Sequence, residues 1–188
     1  MPIRNTTSQW GFVSQLLHWI IVVLIVVQFV YGYKAYFATG FAKLAPVVTH
    51  KSWGMTIFGL AIIRLAWRLF SPTPSLPDNL KPWERMAAHV THYGLYVLLF
   101  AMPLVGWIAS SARSFPVSWF GLVQLPDLVG PNRPLYDVLM TAHFWMSWVL
   151  VAFAGLHIAA ALKHHFILKD DVLRRMLPFT TLRTRGQS

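Results

Sequence analysis

Cysteine is missing from all 188 residues of the chain. That excludes disulfides, thiolate-ligated iron–sulfur clusters and the Cys-x-x-Cys-His attachment of a c-type haem. Charge is scarce as well. Only 12% of the residues are charged and six of them are Asp or Glu, whereas a soluble domain carries about twice that charged share. No internal repeat occurs, and the only biased tract is the proline-rich SPTPSLP, Ser71 to Pro77.

What remains is apolar. Hydrophobic residues make up 56% of the chain and the mean hydropathy is +0.52. Stretches without Lys, Arg, Asp or Glu run from Asn5 to Tyr33, Ser52 to Ile63, Met86 to Ala112 and Val138 to Leu162. Three of them exceed the roughly 20 residues a helix needs to cross a bilayer. The Ser52 stretch reaches that length if its helix begins near Val47 and runs to Phe70, with Arg64 and Arg68 snorkelling to the interface. The pattern predicts an all-α integral membrane protein, a single-domain bundle of four helices over about 14–36, 47–70, 84–110 and 136–166, with a basic tail over 169–188. The first helix is too long for a removable signal peptide, and no small-residue cleavage site follows it.

The net charge of +10 invites a nucleic-acid reading, but the basic residues are dispersed at the ends of apolar spans, so no nucleic-acid partner is expected. With four spans the termini share a side. Eleven Lys and Arg, Arg183 and Arg185 among them, fall on that side and five on the other, which places both termini in the cytoplasm by the positive-inside rule.

Histidine is the notable polar residue of the spans. His143 and His157 are two heptads apart, so they share nearly one helix face, ~21 Å apart along the axis. By depth, His50 and His143 lie near the outer face, and His18 and His157 lie in the inner third. A lone membrane histidine is often an interhelical hydrogen-bonding residue. Four histidines matched in depth on three helices fit a different role: two pairs of axial ligands, His50 with His143 and His18 with His157, each gripping one non-covalent haem b. No carboxylate interrupts the apolar stretches, which disfavours a di-iron centre. Gly54 offers a small surface beside His50 for a planar ligand. His89 and His92 are rival ligands near the inner face, since His92 could replace His18 or His157. His164, one heptad past His157, could serve a quinone together with Lys81. Arg64 and Arg68 suit haem propionates or lipid phosphates.

Five segments carry a family resemblance. LLHW (Leu16 to Trp19), THKSWG (Thr49 to Gly54), RLAWRLFSPTP (Arg64 to Pro74), AAHVTHYGLY (Ala87 to Tyr96) and HIAAALKHHFILKDD (His157 to Asp171) resemble the bacterial cytochrome b561 family. That family is related to the di-haem subunits of membrane nickel–iron hydrogenases and formate dehydrogenases. The resemblance spans Gly11 to Met176. It implies a four-helix inner-membrane bundle with two b haems held by His18 with His157 and by His50 with His143. It also implies superoxide oxidase activity, superoxide to ubiquinone, with His164 and Lys81 at the quinone. One departure stands out: Asn79 replaces a lysine two residues before the family's Lys-Pro.

Three readings follow. The first is an enzyme that oxidises superoxide outside and reduces ubiquinone inside, with Lys34, Lys43 and Lys51 steering the anion toward the outer haem. The second is a cytochrome subunit or conduit fed by a periplasmic redox protein, which the same lysines would dock. The third, a haem-free anchor, leaves the matched histidines unexplained.

Overall fold

A proline or a polar side chain marks the start of each helix. Ahead of α1 (Phe12–Phe37), buried Asn5 accepts the Gly11 N–H at 2.9 Å and the Ser14 hydroxyl at 2.7 Å through Oδ1. α2 (Leu44–Leu69) carries Pro46 in its first turn, where its missing N–H is no loss. α3 (Pro82–Ala112) opens on proline, and Glu84 reaches back to accept the Lys81 N–H at 3.0 Å, the carboxylate half of a capping box. α4 (Arg133–Leu162) is capped by Asn132, whose Oδ1 accepts the Leu135 N–H at 3.0 Å. These devices begin every helix two to three residues earlier than the apolar pattern indicates. The last turn of α4 widens into a π-helical turn, Lys163–Ile167.

This computed structural model describes residues 2–77, 80–180 and 182. Asn79, Arg183 and Arg185 lie outside them. α1, α3 and the stretch Arg133–Ile167 are long and apolar enough to cross a membrane. α2 is as long as α1, but Lys51, Arg64 and Arg68 keep it less apolar. The outward faces have the composition of a lipid-facing surface: Val23, Val26, Val97, Trp145 and Leu156 are each more than half exposed.

The chain divides into two compact units. One comprises Met1–Trp19, Ile63–Leu95 and Val151–Ser188, and the other Ile20–Ile62 and Tyr96–Leu150. In the first, the segment after Lys169, read from the sequence as a basic tail, is held as far as Met176. Gln15 Nε2 donates to the Arg175 carbonyl at 2.9 Å, Trp19 Nε1 to the Met176 carbonyl at 2.9 Å, and Arg175 Nη1 to the Ser75 carbonyl at 3.0 Å.

In the second unit, the stretch between α3 and α4 folds into a two-stranded antiparallel hairpin, β1 (Ser118–Trp119) and β2 (Val123–Gln124). Its turn residues Phe120 and Gly121 have φ of 49° and 74°, and the Leu122 N–H returns to the Trp119 carbonyl, as in a type I′ turn. Fully buried Ser52 of α2 fastens this hairpin. Its single hydroxyl hydrogen is shared between the Val48 and Ser118 carbonyls, and its oxygen accepts the Phe120 N–H. Trp119 Nε1 adds a bond to Thr56, and the Phe120 ring stands edge-on to Trp53.

Candidate functional site

His50 sits in the second turn of α2 and His143 ten residues into α4. Their ring centroids are 6.1 Å apart, with planes at 76°. The Gln28 carbonyl of α1 lies 3.2 Å from His50 Nδ1. With that nitrogen as donor, Nε2 keeps its lone pair for a metal. One turn further along α1, Gly32 makes room for the ring: a Cβ there would lie 3.3 Å from Cε1 and 3.4 Å from Nδ1.

His143 repeats this arrangement on α3. Its ring lies over Gly106, where a Cβ would meet Cε1 at 3.5 Å and Nδ1 at 3.7 Å. The backbone carbonyl it faces is Met102, one turn before that glycine, while Nδ1 is buried without a hydrogen bond of ordinary geometry. Each ring therefore rests in a cradle made of a carbonyl and a glycine four residues later. Gly54 faces the Gln28 side chain, where a Cβ would lie 2.8 Å from the amide nitrogen.

In the other unit, His18 of α1 and His157 of α4 also stand 6.1 Å apart, with planes at 73°. His92 of α3 joins them at 5.1 Å from His157. Two imidazoles that face one metal from opposite sides, about 2.0–2.1 Å from metal to nitrogen and roughly 1.1 Å from nitrogen to ring centre, have centroids about 6.2–6.4 Å apart. Both 6.1 Å pairs agree with that spacing to within a few tenths of an ångström. The His92–His157 contact is about 1 Å too short. The glycine cradles and the two spacings fit imidazole pairs that would hold a b haem.

The other candidates are more dispersed. Arg64 Nη1 donates to the Ser14 carbonyl at 3.0 Å, and Arg68 lies 5.9 Å from the Trp10 ring. His89 is exposed on α3, where with Arg85, Met86, Val90 and Tyr93 it lines an open groove of about 510 Å³. Lys81 and His164 are linked indirectly. Glu84, which accepts the Lys81 backbone N–H, also binds Lys163 Nζ at 2.6 Å, and Lys163 adjoins His164 in the π-helical turn. His164 Nδ1 meets Asp170 Oδ2 at 2.5 Å. Of the three lysines expected to steer an anion, Lys34 and Lys43 are exposed. Lys51 differs, since its ammonium donates to the Phe115 carbonyl at 2.7 Å beneath the Phe115 ring.

Sequence reasoning missed Gly32, Gly106, Gln28 and Asp170. A usable signal existed for the two glycines, small residues on apolar helices, but nothing in the sequence tells which histidine each one faces.

The family model of prokaryotic cytochrome b561 matches residues 9–179. The chain is 35% identical over 180 residues to Cytochrome b561 homolog 2 of Escherichia coli (strain K12), covering 94% of this chain and 95% of that protein. It is 31% identical over 166 residues to a Yersinia pestis protein named Probable superoxide oxidase CybB, covering 86% and 92%. The motifs, the apolar helices and these matches agree: the chain belongs to the prokaryotic cytochrome b561 family of membrane electron-transfer proteins, a family of haem b.

Proposed function

We propose that the chain is a four-helix, di-haem b protein of the bacterial inner membrane that oxidises superoxide at its periplasmic face and reduces ubiquinone at its cytoplasmic face. The observation that carries this reading is the recurrence of one geometry, two histidine pairs each at 6.1 Å, one in each unit. His50 with His143 would hold the haem on the periplasmic side, and His18 with His157 the one on the cytoplasmic side. α2 then spans with the other helices, and Arg64 and Arg68 lie at its cytoplasmic end, where guanidinium groups suit haem propionates. Both termini are cytoplasmic.

Bound between such pairs, the two haems supply one-electron carriers across the bilayer. The residues do the rest. Gln28 and Met102 with their glycines fix the ligand rings on the periplasmic side, and Lys34 and Lys43 attract the anion there. Each superoxide gives up one electron and leaves as dioxygen, and two such electrons with two protons convert one quinone to quinol. His164 and Lys81 bind and protonate the quinone. The Yersinia relative's name points the same way.

The test is a superoxide pulse on the purified protein, followed at the haem absorbance. The expected result is fast haem reduction that superoxide dismutase abolishes and added quinone reverses. Haem that reduces with dithionite but ignores superoxide would replace this reading with a conduit fed by a periplasmic redox protein.

A further inference from the structure

The π-helical turn that ends α4 carries an Asp–His couple. His164 Nδ1 lies 2.5 Å from Asp170 Oδ2. The other carboxylate oxygen, Oδ1, accepts the Val172 N–H at 3.0 Å, and the Asp170 N–H donates back to the His164 carbonyl at 3.1 Å. Lys169, just before the aspartate, adopts φ of 54°, a left-handed conformation that lysine seldom takes. The chain thus reverses on itself within six residues and brings the carboxylate to the ring. A π-helical turn inserts one extra residue into a helical turn and recurs at functional sites.

We infer that Asp170 is a positioning residue for His164, an inference that rests on the quinone reading above. The carboxylate accepts a hydrogen bond from Nδ1–H and so fixes the tautomer that leaves Nε2 for proton exchange. At the quinone, protonated Nε2 donates to a carbonyl oxygen. As the ring gains its two electrons, that oxygen takes the proton and His164 becomes neutral. The second proton comes from the Lys81 ammonium or from water. Cytoplasmic water reloads both groups, so each quinol formed consumes two protons from that side.

Lys163, adjacent in the turn, is paired with Glu84 of α3, and Lys81 meets the same Glu84 through its backbone. His165 is turned against Phe166. Lys169 and Asp171 flank the aspartate in sequence. The carboxylate also has a plain structural use, since its bond to Val172 closes a turn after the helix. Asparagine keeps that use, because its carbonyl oxygen accepts the same N–H, while it removes the charge.

Asp170→Asn therefore separates the two roles. With both haem bands unchanged, it is expected to slow quinone-dependent haem reoxidation by about tenfold, less than the roughly 100-fold or more that losing the proton-transfer group itself costs, because His164 remains. It should also move the His164 side-chain ¹⁵N resonances away from the Nδ1-protonated pattern, and Asp170→Glu should restore part of both. Wild-type reoxidation with wild-type His164 resonances in Asp170→Asn overturns the assignment. The quinone reading is tested separately by His164→Ala. If that variant reoxidises with quinone at the wild-type rate, the quinone role falls, while the nitrogen resonances still report whether Asp170 fixes the ring.

Discussion

At the residue scale, the two glycine cradles differ in a way that can be measured. A methyl at position 32 would lie 3.3 Å from His50 Cε1, tight enough to move the ring, whereas one at position 106 would meet His143 at 3.5 Å, an ordinary contact. Alanine is the better helix former at both sites, by about 1 kcal/mol, so helix content should not fall in either variant. What changes is the ring. Gly32→Ala should weaken retention of the haem at His50 by about tenfold, the low end for loss of an outer-shell support. Gly106→Ala should retain both haems. Pyridine haemochrome titration of the two purified variants reads the difference, and equal haem content would mean that glycine does not set the His50 ring.

At the element scale, the hairpin hangs on one side chain. Ser52 joins α2 to β1 and to the hairpin turn through two hydrogen bonds, and its neighbour Lys51 secures the Phe115 carbonyl ahead of β1, which the Ser110 hydroxyl also reaches. Removing the hydroxyl leaves the part-buried Phe120 N–H and Ser118 carbonyl without this partner, a cost of about 1 kcal/mol, the low end for an unsatisfied group. Ser52→Ala should therefore free residues 115–125, measured as faster proteolytic cleavage there with both haems retained. The hairpin also marks where the sequence stops being informative. Two-residue strands are too short to show alternation, and a type I′ turn built on Phe-Gly lacks the usual Asn-Gly signature. The helices were legible because long apolar runs announce themselves, and His50, His143, His18 and His157 stood out as polar residues matched in depth. Asp170 was not legible, since its approach to His164 depends on a π-helical turn and a left-handed lysine, neither of which leaves a periodic mark. His92 shows the limit from the other side: the sequence offered it as a rival ligand, and only a 5.1 Å contact with His157 separates it from the 6.1 Å pairs.

At the scale of the whole molecule, each histidine pair draws its two members from one unit and from different helices. A haem bound at such a pair ties segments distant in sequence and stabilises the unit that supplies them. A ligand at 100 times its dissociation constant adds about 2.7 kcal/mol to the state that binds it, a large part of the roughly 5–15 kcal/mol that separates folded from unfolded domains. Loss of one ligand should therefore be felt locally. In detergent, His157→Ala is expected to lose one haem and to exchange its backbone amides faster over 12–19, 63–69, 82–95 and 151–162. His143→Ala should lose the other haem, with faster exchange over 20–37, 44–62, 96–112 and 133–150. Haem content and hydrogen exchange on the same preparation give both answers. Two haems retained in either variant would refute the ligand assignment. Two haems lost from each would show that the units share their stability, and a single haem would then hold the whole chain rather than the segments that grip it.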